Sequence, residues 1–234
     1  LFRSGRSLSP EEYNRLAKVV NQLVFEKYYK EFESTLDNSE VLSKFKVIGE
    51  AIAIGAGGIG SLPANYYHMV GMPYYLDSGG VKRFLDMVSS LEFAKREQDY
   101  LTKSTLTHPT YRLGIATATS SMTMYVTPVT GITTVYVDYI RTPNTPILDY
   151  YVNDTTAVYT WMASGATVAV PSGSTAMNGT TGLANVASTT VNWEFDDEDL
   201  PLIGNLFMQQ MGITIPDETL YQGGTLNETR SDNL

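Results

Sequence analysis

The stretch SMTMYVTPVTGITTVYVDYIRTPNTPILDYY, which runs from Ser121 to Tyr151, decides the fold class. Two runs within it alternate apolar and polar side chains, and the apolar members are Met122, Met124, Val126, Val135, Val137 and Tyr139. A period of two predicts two largely buried β-strands, joined here by the turn from Pro128 to Gly131. Gly131 supplies the positive φ that such a turn often needs. Pro143 ends the second strand because proline has no N–H to donate.

Helical periodicity dominates before this stretch. The run from Ser9 to Glu12 is a capping box with proline at the first helical position. Apolar residues at three- and four-residue spacing continue this helix to about Phe32. Further helices are predicted over residues 39–45, 80–100 and 199–211. An acidic run precedes the last of them, and such a run favours a helix N-terminus through the helix dipole.

The change of period after Pro109 predicts an α+β fold. The expected parts are N-terminal helices, a central and mainly antiparallel β region with an extended arm, a short C-terminal helix and an extended tail. The boundaries are 1–112 for a mainly helical region, 113–192 for the β region with a Thr/Ser/Gly-rich arm at 153–190, 193–221 for a C-terminal helix packing on the same body, and 222–234 for the tail.

Composition excludes several classes of protein. The net charge of −9 disfavours a protein that grips nucleic acid by its phosphates, because that needs clustered Lys and Arg. The chain has no cysteine, so neither a disulfide framework nor a thiolate metal site is possible. No apolar run reaches the roughly 18 residues of a membrane helix, so no membrane partner is expected. The 16 tyrosines suit either a β core or large half-wet contact surfaces.

One glycine-rich segment resembles a dinucleotide-binding motif. Residues Ala51 to Gly60 read AIAIGAGGIG, and Gly55, Gly57 and Gly60 fit the pattern G-x-G-x-x-G. A nicotinamide-dependent oxidoreductase is therefore one alternative. Pro63 follows almost at once, however, and leaves little room for the helix that receives the pyrophosphate. We therefore expect no cofactor at this loop and expect it to pack near a neighbouring chain.

The sequence contains no catalytic constellation. A nucleophile elbow, a His-Glu-x-x-His motif and a P-loop are all missing from it. The two histidines, His68 and His108, lie in unrelated contexts, and the pair Asp196-Asp197 is best explained as a helix cap. We therefore predict a protein that is not an enzyme, with no catalytic, cofactor-binding or metal-binding residues.

Six residues are candidates for assembly contacts: Tyr139, Arg141, Trp161, Leu226, Arg230 and Leu234. Arg141 lies at a strand exit, where a guanidinium can serve a carboxylate or several carbonyls. Trp161 is either an interface anchor or, in an extracellular carbohydrate-binding or adhesion module, a stacking platform for sugars. The tail 222–234 has too few apolar side chains to offset its ordering entropy, so another subunit is expected to hold it.

Several motifs share an order along the chain. They are SGRSLSPEEYNRLA (Ser4 to Ala17), FEKYYKEFEST (Phe25 to Thr35), LPANYYH (Leu62 to His68), HPTY (His108 to Tyr111), the strand pattern VxVxYIRxP (Val135 to Pro143) and the acid-led helix WEFDDED…GI (Trp193 to Ile213). Together they resemble a family of virion structural proteins from tailed phages of Bacteroidetes, the crAss-like phages included. The resemblance covers nearly the whole chain except the arm at 153–190.

The resemblance implies a neck or ring component of the head-to-tail connector, with no catalytic residues to carry over. Its implied partners are copies of itself in a closed ring of about twelve, neighbouring portal, ring or tail proteins, and genomic DNA that passes through the channel without sequence-specific binding. The implied location is the virion, after synthesis in the host cytoplasm. A net negative charge agrees with a conduit for DNA, since acidic walls repel phosphate.

Overall fold

The structure is a computed structural model, and it describes residues 8–35, 40–115 and 121–211. Its elements confirm the predicted α+β class. The chain forms two compact units. The β unit is Phe32–Thr142, and the mixed unit combines Leu1–Glu31 with Pro143–Leu234.

The elements follow one another in this order. The first part contains α1 (Pro10–Thr35), α2 (Glu40–Ser43), β1 (Lys46–Ala53), β2 (Ile59–Ser61), β3 (Tyr66–Met69), β4 (Tyr74–Leu76), β5 (Lys82–Phe84), β6 (Asp86–Met87), α3 (Ser90–Gln98) and β7 (Thr110–Ile115). The second part contains β8 (Met122–Thr127), β9 (Thr134–Arg141), β10 (Asp149–Asn153), β11 (Tyr159–Met162), β12 (Thr167–Ala169), β13 (Ser174–Ala176), β14 (Asn185–Ala187), a 3₁₀ turn (Asp197–Asp199) and α4 (Leu200–Gln210).

Two sheets build the β unit around one apolar core. The first sheet has the order β1-β9-β4-β5, with β3 also paired to β9, and the second has the order β2-β8-β7-β6. All of these pairs are antiparallel except the one between β6 and β7. The shared core contains Ile52, Leu62, Tyr75, Leu85, Tyr111, Met124, Val126, Ile132, Val135, Val137 and Tyr139. Both sheets contribute to one cluster, so their inner faces pack against each other.

The two strands of the opening stretch exist as predicted, but they do not pair with each other. Strand β8 pairs with β2 and β7 in one sheet, and β9 pairs with β1, β3 and β4 in the other. The expected turn residue Gly131 does have a positive φ, +96°. The next residue, Ile132, is buried in the core, so the connection crosses from one sheet to the other instead of closing a hairpin.

The expectation that 1–112 is mainly helical is wrong. Six strands, β1 to β6, lie between Lys46 and Met87. The helix predicted over 80–100 is reduced to Ser90–Gln98, because the chain before it forms a hairpin between β4 and β5. The Asp77 carboxylate closes that turn by accepting from the backbone N–H groups of Gly79 and Val81, both at 2.9 Å.

The N-terminal helix has the predicted capping box. The backbone N–H of Glu12 donates to Ser9 Oγ at 3.2 Å, and the Ser9 N–H donates to the Glu12 carboxylate at 3.1 Å. These two bonds satisfy donors that a helix N-terminus otherwise leaves unpaired. The helix predicted over 39–45 occurs as the single turn α2, and α4 agrees closely with the prediction of 199–211.

In the mixed unit, α4 packs on the first helix. Val20, Val24 and Ile203 form the centre of this contact. Several partly buried side chains surround it: Tyr28, Trp193, Phe195, Leu202, Leu206 and Phe207. The C-terminal helix therefore shares a body with the N-terminal one. The predicted β region 113–192 is not one body, since the two units divide between Thr142 and Pro143.

The Thr/Ser/Gly-rich segment 153–190 contains the short strands that its composition predicts. Strands β11 and β13 flank the preceding strand β10 in a sheet of order β11-β10-β13, and β12 and β14 form a two-stranded sheet. Met162, Val170, Ala176 and Val186 make a small core of their own. The segment is thus more compact than a single projecting hairpin. The predicted tail 222–234 lies outside the described residues.

Candidate assembly surfaces

Arg141 and Tyr139 lie at the end of β9 but have different environments. The Arg141 guanidinium donates to the Thr142 carbonyl oxygen at 3.3 Å and lies 5.4 Å from the centre of the Phe45 ring. The Arg141 backbone N–H donates to the Phe45 carbonyl at 2.8 Å. A carbonyl partner at the strand exit is one of the two partners predicted for Arg141.

Tyr139 is a core residue, which corrects its selection as an assembly residue. Its side chain is only 3% exposed, and its ring centre lies 5.6 Å from that of Tyr66. Burial and the Glu50 carboxylate raise the pKa of Tyr139, while Arg141 opposes them. An inward position follows from the alternation along β9, because Val135, Val137 and Tyr139 share one face of the strand.

Trp161 belongs to an exposed aromatic step on the mixed unit. It lies opposite Tyr150 across the pair of β10 and β11, and Tyr159, two residues earlier on β11, is on the same face. Both outer rings meet Tyr150 edge-on, at centre-to-centre distances of 6.1 Å for Trp161 and 5.4 Å for Tyr159. Trp161 is 50% exposed and Tyr159 42% exposed. Strand β11 is also an outer strand of its sheet, so both rings are accessible to a ligand or partner.

Leu226, Arg230 and Leu234 lie outside the described residues. Their predicted role in holding the tail therefore stays a prediction.

The glycine-rich segment forms a tight connection between β1 and β2. Gly60 lies within strand β2, where the dinucleotide motif requires a helix N-terminus. Gly58 has a φ of +72°, and a Cβ there would lie 2.2 Å from the Val126 carbonyl oxygen. A Cβ on Gly60 would lie 2.8 Å from the Ile52 side chain. Gly58 thus allows close packing on the backbone of β8, and Gly60 allows close packing on the Ile52 side chain, which accounts for these glycines without a nucleotide.

A second aromatic patch, which the sequence pattern did not predict, lies on the outer face of the first sheet of the β unit. Tyr74 stacks on Tyr136 across neighbouring strands at 5.3 Å, and Phe84 meets Tyr74 edge-on at 6.2 Å. The Lys82 ammonium lies 4.3 Å from the Tyr74 ring centre. Phe84 is 53% exposed. Only the register of three strands brings these residues together, so periodicity along any single strand could not reveal the patch.

The loop that follows α3 carries the most exposed apolar side chains of the β unit. Tyr100 is 93% exposed and Leu101 is 89% exposed. Met87 and Leu91, on β6 and α3, are also mostly exposed. Large exposed apolar patches are rare on proteins that act alone, and they often mark sites of contact with a partner.

Two buried carboxylates serve the structure of the mixed unit. Asp149 accepts from the backbone N–H groups of Tyr150 and Thr189, both at 2.8 Å, and from the Thr189 hydroxyl at 3.0 Å. Asp199 accepts from the Tyr28 hydroxyl and from the Asp196 N–H, the latter at 3.1 Å. Burial and Asp199 raise the pKa of Tyr28. The bond between the Asp196 N–H and Asp199 belongs to a helix cap, as predicted for this acidic run.

Within residues 8–35, 40–115 and 121–211, no three His, Asp or Glu side chains come together in a way that could hold a metal ion. Over the same ranges, every helix falls short of the length and apolar content that a membrane span requires. No known protein family matches the chain, and no curated protein matches it either.

Proposed function

We propose that this chain is a structural subunit of a tailed-phage virion, a ring component of the head-to-tail connector. The proposal starts from the motifs that occur in a shared order along the sequence. The role of the subunit is mechanical: it joins copies of itself and neighbouring portal, ring or tail proteins around the channel through which genomic DNA passes. We propose no catalytic step.

The observation that supports this role best is the distribution of exposed apolar side chains. In the β unit they lie on an outer sheet face, at Phe84, and on the loop at Tyr100 and Leu101. In the mixed unit they lie on an outer strand, at Tyr159 and Trp161. Each unit therefore has its own accessible apolar surface. A subunit with separate neighbours needs such separate surfaces, whereas an isolated globular protein gains nothing from them.

The outer strands of the sheets supply a further kind of contact. Among the described strands, β1 and β2 each pair with one neighbour and lie at the margins of their sheets. The edge of β1 is interrupted, because the register with β9 shifts between Val47 and Glu50 and Gly49 has a φ of +69°. A bulge of this type restrains uncontrolled edge-to-edge pairing. Controlled assembly is what a ring of fixed size requires.

The oligomeric state of the purified full chain tests the proposal. We expect a discrete ring, formed by the chain alone or on addition of its portal or tail neighbours, when mass is measured by sedimentation and shape by negative-stain imaging. Replacing both Tyr100 and Leu101 by Ser should weaken that assembly and leave the melting temperature unchanged, because neither side chain is packed. A chain that stays monomeric under all of these conditions would contradict the proposal.

The aromatic step of Tyr159 and Trp161 favours one second candidate function, a carbohydrate-binding module. Sugar rings stack on exposed aromatic faces, and the two accessible rings stand side by side on one strand. Titration with a glycan panel, followed by tryptophan fluorescence, tests this idea. A signal that disappears in Trp161→Ala would favour it, and a flat titration across the panel would exclude it.

A further inference from the structure

Arg112 occupies an unusual position on the outer face of the second sheet of the β unit. It lies opposite Tyr125 in the pair of β7 and β8, with its guanidinium carbon 4.0 Å from the Tyr125 ring centre. The Phe93 ring, supplied by α3, lies 5.2 Å from the same carbon. Contact with two rings limits the rotamers of the side chain, so the charged group is held in place before any partner arrives.

Gly114 provides the space for this arrangement. A Cβ at position 114 would lie 3.1 Å from Tyr125 Cε2 and 3.6 Å from Arg112 Nη1. A larger residue would therefore push the Tyr125 ring and the guanidinium aside. The local sequence Arg112-Leu113-Gly114 keeps the inner face apolar and the outer face open.

The donors of this guanidinium have no acceptor in the described part of the chain. An arginine carries five N–H donors. Arg83 donates to Asp77 at 3.1 Å, Arg96 pairs with Glu92, and Arg141 donates to a carbonyl oxygen. Arg112 is partly buried like them, yet among residues 8–35, 40–115 and 121–211 it makes only its two ring contacts. A partly buried charge without a counter-ion is costly unless a partner completes the site.

We propose that Arg112 binds the carboxylates of Asp197 and Glu198 in a second copy of this chain. This inference rests on the proposed ring. The chain carries 25 acidic and 16 basic residues, so another copy is a ready source of carboxylates. Asp197 and Glu198 are adjacent and exposed, and their side chains have no partner within the described ranges. A guanidinium can donate to two neighbouring carboxylates through its separate edges.

The two surfaces lie in different units of the chain. Arg112 is in the β unit, and Asp197 and Glu198 are in the mixed unit. When the same two copies do not reciprocate such a contact it is heterologous, and repeated heterologous contacts close into rings when the rotation permits. The contact can therefore serve as the repeating link of the proposed ring.

A charge-exchange experiment tests the contact with the full chain. Arg112→Glu is one variant, and the double substitution Asp197→Arg with Glu198→Arg is the other. Each alone should lose the ring, because like charges then meet at every contact and weaken it by about 100-fold or more. An equal mixture of the two variants should regain the ring with alternating subunits. All three substitutions in one chain should regain it without mixing.

Matched controls carry the same charge changes elsewhere. Arg15→Glu and Glu33→Arg alter exposed side chains on α1 and should assemble like the wild type. If a melting curve shows that Arg112→Glu is unfolded, Arg112→Gln replaces it, because this substitution removes the charge without reversing it.

The outcomes separate this inference from the proposed function. Rings of wild-type stability in both single variants would overturn the contact and leave the ring role standing. Recovery in the triple variant without recovery in the mixture would overturn it too, because the pair would then lie within one chain. A wild-type chain that forms no oligomer, alone or with its neighbours, would overturn both proposals.

Discussion

Gly58 combines a positive φ with a close neighbour, so its conformation and its lack of a side chain both matter. We predict that Gly58→Ala lowers the free energy of unfolding of the β unit by about 2–5 kcal/mol. A left-handed alanine costs about 1–2 kcal/mol, and a Cβ 2.2 Å from the Val126 carbonyl oxygen adds an overpacking cost of about 1–3 kcal/mol. Urea denaturation measures the change.

Gly80 is the matched control for Gly58. Its φ is +76°, and a Cβ there would meet nothing within 4 Å. Gly80→Ala should therefore cost only the conformational part, about 1–2 kcal/mol. Equal losses in the two variants would mean that the turn of Gly58 relaxes away from β8 at little cost.

Tyr111 links the core of the β unit to alkaline stability. Burial, with a smaller effect of Tyr66, raises the pKa of Tyr111 from 10.0 to about 12. Between those values the unfolded chain releases the phenol proton and the folded chain keeps it, so stability falls as the pH rises. We predict that Tyr111→Phe retains about 1 kcal/mol more stability than the wild type near pH 12, after allowance for solvent screening.

The comparison for Tyr111 is the same substitution at an exposed site. Tyr100→Phe changes a side chain that is 93% exposed, so its loss of stability with pH should follow the wild type. Unfolding free energies measured across the alkaline range give the answer. A Tyr111→Phe curve parallel to the wild-type curve throughout would refute the prediction.

At the scale of elements, the N-terminal cap of α1 is predicted from the sequence and is present in the structure. Ser9→Ala should lower the stability of the mixed unit by about 1 kcal/mol, because it leaves the Glu12 N–H without its side-chain acceptor. Lys18→Ala, in the exposed middle of the same helix, should change stability by less than about 0.5 kcal/mol. Thermal unfolding of both variants distinguishes a specific cap from a general effect of helix composition.

Elements that depend on neighbouring residues in the chain are predicted well from the sequence, and elements that depend on contacts between distant residues are not. The cap at Ser9 and the alternation along β9 need only neighbouring residues, so the sequence reveals them. The partners of β8 and β9 depend on which faces meet in the core, and adjacent positions in the chain misled the prediction of a hairpin. The prediction of a helix over 80–100 was wrong because Leu85 and Val88, which fit a helical stripe, are instead buried directly after the short strands β5 and β6.

The candidate surfaces follow the same division. Trp161 could be selected from its surroundings in the chain, and it is exposed as an interface or ligand contact requires. Tyr139 was selected from a motif and is buried, because the motif records the alternation of a core strand. Arg112 was missed, since its environment joins residues from β7, β8 and α3. A single charged residue in a strand gives no signal of that arrangement.

At the scale of the whole molecule, the two units differ in how the chain builds them. The β unit is one continuous stretch, Phe32–Thr142, with both sheets and their shared core inside it. The mixed unit requires two separate stretches, because Ile203 on α4 packs against Val20 and Val24 on α1. The fragments should therefore differ in stability when the chain is cut between the units.

We predict that residues 32–142 fold alone and that residues 143–234 do not. The second fragment lacks α1, so the apolar face of α4 and the Trp193 indole, which donates to the Tyr13 hydroxyl at 3.1 Å, lose their partners. Adding a peptide of residues 8–31 should restore the fold, read as a blue shift of Trp193 emission in a Trp161→Phe background. A peptide with Val20→Asp and Val24→Asp is the control and should restore nothing, since it carries charges into the buried contact. Native emission from 143–234 without any peptide would mean that the strands of the mixed unit alone organise α4.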